Sequence, residues 1–289
     1  MTGFNIDVDG LSPLEQTAFL TLYARALDRR CRRPILFDAL ADQVAGKIDY
    51  DFDAMRVHAS VRCLVALRTR MLDDRVRRFT AEHPDAVVVD LGAGLDGGIF
   101  RCRPPVTVDW YSVDLPAVIE LRDAVLPAHR QEHTVAARID DPRWADAIAG
   151  NRPTMLVADG LTGFLGEAAV VALFQTVTDR FSRGELALND YGRITRLGRA
   201  AMKLAPQRAF KAIAPSWGFP GFGDARTPET WNPRLSLVEE VSLAEAPEVR
   251  RFPLHLRAGI RAAGHIPALA RKARILRYRW PRLSEKTSP

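Results

Sequence analysis

The residues with the most chemical potential sit in one run, Val87-Val88-Val89-Asp90-Leu91-Gly92-Ala93-Gly94-Leu95-Asp96-Gly97. Glycines after a valine run let a chain leaving a strand turn sharply and approach a ligand with no Cβ in the way. Gly92, Gly94 and Gly97 satisfy G-x-G-x-x-G. Asp114 follows about 20 residues later, where a carboxylate can accept hydrogen bonds from both hydroxyls of a ribose. That pattern serves two ligand classes, nicotinamide dinucleotides and S-adenosyl-L-methionine. Asp90 favours the second. An anion at the strand end helps hold an ammonium group or its bound water, and would repel a pyrophosphate. The loop also lies behind a long helical segment, whereas many dinucleotide domains begin with it.

Two later acidic sites extend the series. Asp140-Asp141-Pro142-Arg143-Trp144 follows the third expected strand, where Asp140 can accept from an adenine amino group, and Asp159-Gly160 ends the fourth, beside the methionine part. Each alone reads more readily as a turn or cap. Their order carries the argument, because open α/β sheets bind ligands at the carboxyl ends of their strands. The candidate cofactor-binding set is therefore Asp90, Gly92, Ala93, Gly94, Asp114, Leu115, Asp140, Asp159 and Gly160. Tyr191, His255 and His58 are candidate bases, and none is assigned. His129-Arg130-Gln131-Glu132-His133 matches H-x-x-E-H, but a zinc site needs that run on a stable helix with a third ligand. Here Pro127 precedes it and a strand follows, so no metal is expected.

The elements that must position these groups change character along the chain. Residues 11–82 read as helical, opened by the capping box Ser12-Pro13-Leu14-Glu15 and interrupted by the acidic turn at 49–53. From Ala86 strand and helix alternate, which argues a mostly parallel sheet. Strands are expected at 86–91, 107–113, 134–137, 154–158, 185–190, 235–243 and 274–280, with helices near 117–126, 166–181 and 254–263. The fold class expected is α/β, a doubly wound, mostly parallel seven-stranded sheet with N-terminal helices and a helical cap insertion. One domain is expected: helical segment 1–85, cofactor-binding core 86–192, cap 193–232 and C-terminal strands and helix 233–289. Met202, Leu204, Phe210, Trp217, Phe219 and Phe222 give the cap an apolar and aromatic character.

Composition sets the outer limits. The chain has 289 residues, 47% hydrophobic and 26% charged, ordinary values for a globular protein. No apolar run reaches the roughly 20 residues that span a bilayer. The N-terminus lacks the basic-then-apolar order of a secretory signal. Three scattered cysteines fit free thiols in a reducing, cytoplasmic setting. The net charge of +6 is arginine-rich, but no aromatic-interleaved basic motif of the RNA-binding kind appears. Neither a nucleic-acid nor a membrane partner is expected, and oligomeric state is not readable.

At these residues the chain resembles the leucine carboxyl methyltransferase family, in its bacterial branch near the polyketide O-methyltransferases. The matching stretches are Val88–Asp96, Trp110–Pro116, Asp141–Trp144 and Ala158–Leu161, with Thr17–Ala26 and Trp231–Leu235 alongside. The resemblance implies that Arg68 grips the carboxylate of S-adenosyl-L-methionine, and it carries over Gly92, Gly94, Asp114 and Asp159. An arginine's planar fork suits that task. Three departures from the family pattern stand out. Gly97-Gly98 replaces the usual Thr-Arg, which is expected to loosen the loop. Asp159 replaces a glutamate. Arg138 stands where a small or acidic residue is usual, which shifts the adenine contact to Asp140. The expected function is methyl transfer to a carboxylate or hydroxyl of a small apolar or aromatic acceptor. A nicotinamide-dependent oxidoreductase, or a catalytically idle cofactor-binding relative, is the alternative.

Overall fold

The run Val87–Leu91 is apolar at nearly every position, as a strand covered on both faces must be. In the computed structural model, which describes residues 6–8, 10–194, 217–266, 269 and 271–281, all five of its residues are buried. The chain opens with strand β1 (Ile6–Asp7), helices α1 (Thr17–Arg29) and α2 (Ala39–Ala45), strand β2 (Ile48–Asp49) and helix α3 (Ala59–Glu82). The central run follows as β3 (Val87–Leu91), α4 (Gly98–Cys102), β4 (Asp109–Asp114), α5 (Pro116–Val125), β5 (Glu132–Ala136), β6 (Thr154–Ala158), α6 (Glu167–Arg180) and β7 (Gly184–Asp190). It closes with α7 (Thr227–Trp231), β8 (Ser236–Ser242), α8 (Leu254–Gly264) and β9 (Arg274–Trp280).

Seven strands form one sheet in the order β5-β4-β3-β6-β7-β9-β8. The first five are parallel; β9 runs antiparallel to both β7 and β8. Strand order reverses between β3 and β6, the switch point at which such sheets open a ligand crevice. Side chains alternate across the sheet. Val87, Val89 and Leu91 pack with Val170, Leu173, Phe174 and Val177 of α6, while Val88 faces Leu67, Met71 and Leu72 of α3 on the other side. Helices thus cover both faces, and the α/β, doubly wound expectation holds.

The boundaries differ in instructive ways. Ser12 and Glu15 do exchange the capping-box bonds, Ser12 N–H to Glu15 Oε2 at 2.7 Å and Glu15 N–H to Ser12 Oγ at 3.4 Å. The regular helix nevertheless starts only at Thr17, because after one i→i−4 bond from Gln16 to Ser12 the chain makes i→i−3 turns at Thr17, Ala18 and Phe19. The small parallel pair β1·β2 and the short helix α2 went unforeseen; two-residue strands carry no readable period. Most of the expected cap, including Met202, Leu204 and Phe210, lies outside the described residues. Of its described aromatics, Phe219 and Phe222 belong to the main core beside Phe174. Among the described residues no helix is long and apolar enough to cross a membrane.

Candidate active site

A cavity of about 860 Å³ opens at the carboxyl ends of β3, β4 and β6, and Arg68, Asp90, Gly92, Ala93, Gly94, Asp114, Leu115, Asp140, Asp159 and Gly160 all line it. All ten residues expected from the sequence therefore share one cleft. Helix α3 contributes Val61, Leu64, Val65 and Arg68, spaced on one helical face. Arg68 is buried.

The glycine loop is held from both sides. Gly92 and Gly94 take positive φ, 68° and 50°, a conformation that strains residues bearing a Cβ. The N–H groups of Gly92 and Ala93 both reach the Val113 carbonyl, and that of Gly94 donates to Asp114 Oδ2 at 2.6 Å. Two buried arginines clamp the next carbonyls: Arg122 Nη1 donates to Gly94 O at 3.0 Å and Arg25 Nη2 to Leu95 O at 2.9 Å. Gly97 and Gly98, expected to loosen this loop, are closely seated. A Cβ on Gly97 would stand 2.8 Å from Leu40, and one on Gly98 3.0 Å from Trp110. Their smallness lets α4 pack tightly.

Asp114 is not a helix cap. Its Oδ1 accepts from the adjacent Leu115 N–H at 2.7 Å, and Leu115 itself is the uncapped start of α5. Burial raises the Asp114 carboxyl above its ordinary value, against the lowering effect of the Gly94 and Leu115 N–H groups. Each carboxylate oxygen has capacity for a second hydrogen bond. Asp90 is more strongly perturbed: burial, then the nearby charge of Asp96, pushes it up to about 8, with Arg122 opposing. A neutral Asp90 at pH 7 modifies the picture of a fixed anion under the ligand; its charge depends on what binds beside it.

At the other end, Arg68 Nε lies 2.7 Å from Asp159 Oδ1. The contact is a charge pair without hydrogen-bond alignment, so both atoms are buried with no directional partner. Asp159 Oδ2 accepts from Thr69 Oγ1 at 2.8 Å, and Arg68 Nη1 donates to the Tyr191 hydroxyl. Gly160, at φ 79°, brings its backbone against Arg68; an added Cβ would meet Nη2 at 3.1 Å. Its N–H donates to Asn189 Oδ1 at 2.5 Å. Asp140 sits at the rim, where Arg138 grips it with two bonds of 2.9 and 2.7 Å. An amino group reaching Asp140 must share it.

Of the candidate bases, only Tyr191 lines the cleft. Burial raises its phenol above the usual value, with Arg68 opposing, so it is protonated near neutral pH. His58 precedes α3 and contacts Ser60, and His255 is exposed on α8. The histidine run spans a turn and β5: Glu132 pairs with Arg122 at 2.5 Å and His133 stacks on Tyr111. The run forms no helix. Beyond Tyr191 the wall turns apolar and aromatic, with Trp217 5.5 Å from the Tyr191 ring and 5.7 Å from Phe164. Ile194, Leu165 and Leu243 continue it.

The leucine carboxyl methyltransferase profile matches residues 18–178, more than half of the chain. The chain belongs to this family. It is 35% identical over 272 residues to the tetracenomycin polyketide synthesis O-methyltransferase TcmP of Streptomyces glaucescens, covering 93% of this chain and 97% of that one. An S-adenosyl-L-methionine-dependent methyltransferase of Gibberella zeae, dpfgK, is 28% identical over 204 residues, 64% of this chain and 68% of that one. The fold is shared with a crystal structure of a Thermobifida fusca protein assigned as a methyltransferase, with a TM-score of 0.54 at 17% identity, over 89% of this chain and 94% of that one. This chain is thus an S-adenosyl-L-methionine-dependent methyltransferase, and the nicotinamide oxidoreductase reading falls.

Four positioning residues escaped sequence reasoning: Arg25, Thr69, Arg122 and Asn189. A signal existed for two of them. Arg25 falls three residues after the buried Leu22 of α1, and Arg122 three after the buried Ile119 of α5. An arginine on the apolar face of a helix must find buried acceptors.

Proposed function

We propose that the chain is an O-methyltransferase whose acceptor is a small apolar or aromatic molecule bearing a carboxylate or hydroxyl. The observation that carries this reading is the continuity of one cleft, from the loop and Asp114 through Arg68 and Tyr191 to the aromatic wall of Phe164 and Trp217. The residues fit the cofactor. The buried atoms Arg68 Nε and Asp159 Oδ1 lack aligned partners, and Gly160 leaves the Arg68 fork open to the cleft.

In this reading Arg68 pairs with the cofactor carboxylate, Asp90 and Asp159 face its ammonium, Asp114 accepts from its ribose, and the Gly92-Ala93-Gly94 backbone packs against it. Leu115 and Gly160 shape the same walls, and Asp140 meets the adenine edge at the rim. The bound cofactor supplies an electrophilic methyl group on a sulfonium. The protein aligns the acceptor oxygen and excludes water; such alignment alone can lower a barrier by about 7–11 kcal/mol at best. A carboxylate acceptor needs no base, which agrees with a cleft whose Tyr191 phenol stays protonated.

The test is methyl transfer from isotopically labelled S-adenosyl-L-methionine to matched aromatic carboxylic acids and phenols, with products treated with mild base. Base-labile label marks an ester and base-stable label an ether. Absence of transfer to every aromatic acceptor, with transfer to polar ones, would overturn the assignment.

A further inference from the structure

Outside the cleft, six arginines converge on a second cavity of about 390 Å³: Arg32, Arg33, Arg62, Arg250, Arg251 and Arg257. They come from the segment after α1, the first turn of α3, the 3-10 turn Pro247–Arg251 and the first turn of α8. Among the described residues none of the six has a carboxylate partner. Arg251 Nη1 donates to the Pro34 carbonyl at 2.7 Å, and Arg62 Nη2 contacts Cys63 Sγ at 3.7 Å. Arg32, Arg33, Arg250 and Arg251 are exposed and Arg62 and Arg257 half-buried, so the cluster keeps an open mouth to solvent.

The single acid in the wall, Asp28, is already engaged. Its two oxygens accept from the N–H groups of Ile35, Leu36 and Phe37 at 2.9–3.4 Å. Arg62 Nε is buried with no partner at all. Helix α8 also begins at this wall, with Pro253 as an N-cap that supplies no side-chain bond and no acid in the first turn. Its first backbone bond is Arg257 N–H to Pro253 O at 2.9 Å, so the N–H groups before it lie outside the helical ladder. Uncompensated cations, a buried orphan donor and an uncapped 11-residue helix start therefore face one concavity.

We propose that this cavity is an oxyanion site that takes a phosphoryl group, either free inorganic phosphate or the phosphate of a small organic ester. Arginine forks match phosphate oxygens in pairs. The volume lies within the range of small-ligand sites, and Ile35, Phe252 and Leu254 offer apolar contact for an organic portion. The site is separate from the methyl-transfer cleft: Val61, Leu64, Val65 and Arg68 of α3 line the cleft, and Arg62 and Cys63 line this one.

The experiment is calorimetric titration with inorganic phosphate, pyrophosphate and phenyl phosphate at constant ionic strength. It compares the parent with Arg32→Glu/Arg33→Glu and with Arg130→Glu/Arg183→Glu. Arg32 and Arg33 are exposed and free of internal partners, so their reversal leaves the packing intact, and the control pair is likewise exposed and changes net charge equally. The parent is expected to bind a phosphoryl probe saturably at one site, the first variant to bind it about tenfold or more weakly, and the control to stay within about twofold. Tighter binding of phenyl phosphate assigns the site to organic esters, and tighter binding of inorganic phosphate to the free ion. No saturable binding by the parent, or equal losses in both variants, would overturn the proposal.

Discussion

Arg68 on α3 and Asp159 after β6 meet at 2.7 Å beneath the cleft, joining the N-terminal helical segment to the sheet at the point where the cofactor's charged end is proposed to lie. Burial alone would lower the basicity of Arg68, but Asp159 and Tyr191 more than offset it. Arg68 is therefore charged before any ligand arrives, and the site is organised in advance.

Replacing Arg68 with lysine keeps the charge and loses the fork. Arg68→Lys is expected to weaken S-adenosylhomocysteine binding about tenfold or more, read by titration calorimetry. Unchanged affinity would remove Arg68 from the carboxylate site.

Asp90 gives a pH dependence of definite sign. Its folded value, about 8, stands above its ordinary 3.8. The protonated form thus favours the folded state, a contribution fully present below pH 4 and lost as pH rises toward and through 8. Asp90→Asn removes that loss. At pH 8 it is expected to raise Tm by about 2–4 °C for each kcal/mol recovered, with little effect at pH 4, while weakening cofactor binding. A thermal series from pH 4 to 9 that runs parallel for both proteins would contradict this.

Arg101 is the hub of a buried network, bound to Asp38 at 2.8 Å, Asp73 at 2.8 Å and Asp96 at 2.6 Å. Asp96 also meets Arg25 at 3.2 Å. Burial would raise the Asp96 carboxyl, yet Arg101 and Arg25 hold it well below its ordinary value. Arg101→Leu removes the shared cation and leaves Asp38 and Asp96 to Arg25 and Asp73 to Arg77, and is expected to cost about 3–5 kcal/mol in urea unfolding. A loss under about 1 kcal/mol would mean the network relaxes into water.

We propose that Tyr191 serves as a protonated wall residue rather than as a base. Tyr191→Phe is expected to keep kcat within about tenfold and leave the pH profile's limbs in place, since removing a general base costs about 10²–10⁴. A larger fall with loss of one limb would reinstate it.

The sheet was legible because its strands obey simple rules: buried parallel strands read as apolar runs, and β6 and β9 begin and end where expected. The cleft was legible because its acids stand at strand ends. What stayed hidden depends on contacts across the chain. Arg122 lies 28 residues from the carbonyl it clamps, and Arg25 lies 70 from its own. The tight seats of Gly97 against Leu40 and Gly98 against Trp110 were equally invisible, since no local pattern records which side chain a distant helix presents.

The most direct test is a crystal structure with S-adenosylhomocysteine bound. The account predicts its carboxylate on the Arg68 guanidinium, its ribose hydroxyls on Asp114 and its adenine toward Asp140. A ligand lying in the reverse direction, or bound without contact to Arg68 and Asp114, would contradict it.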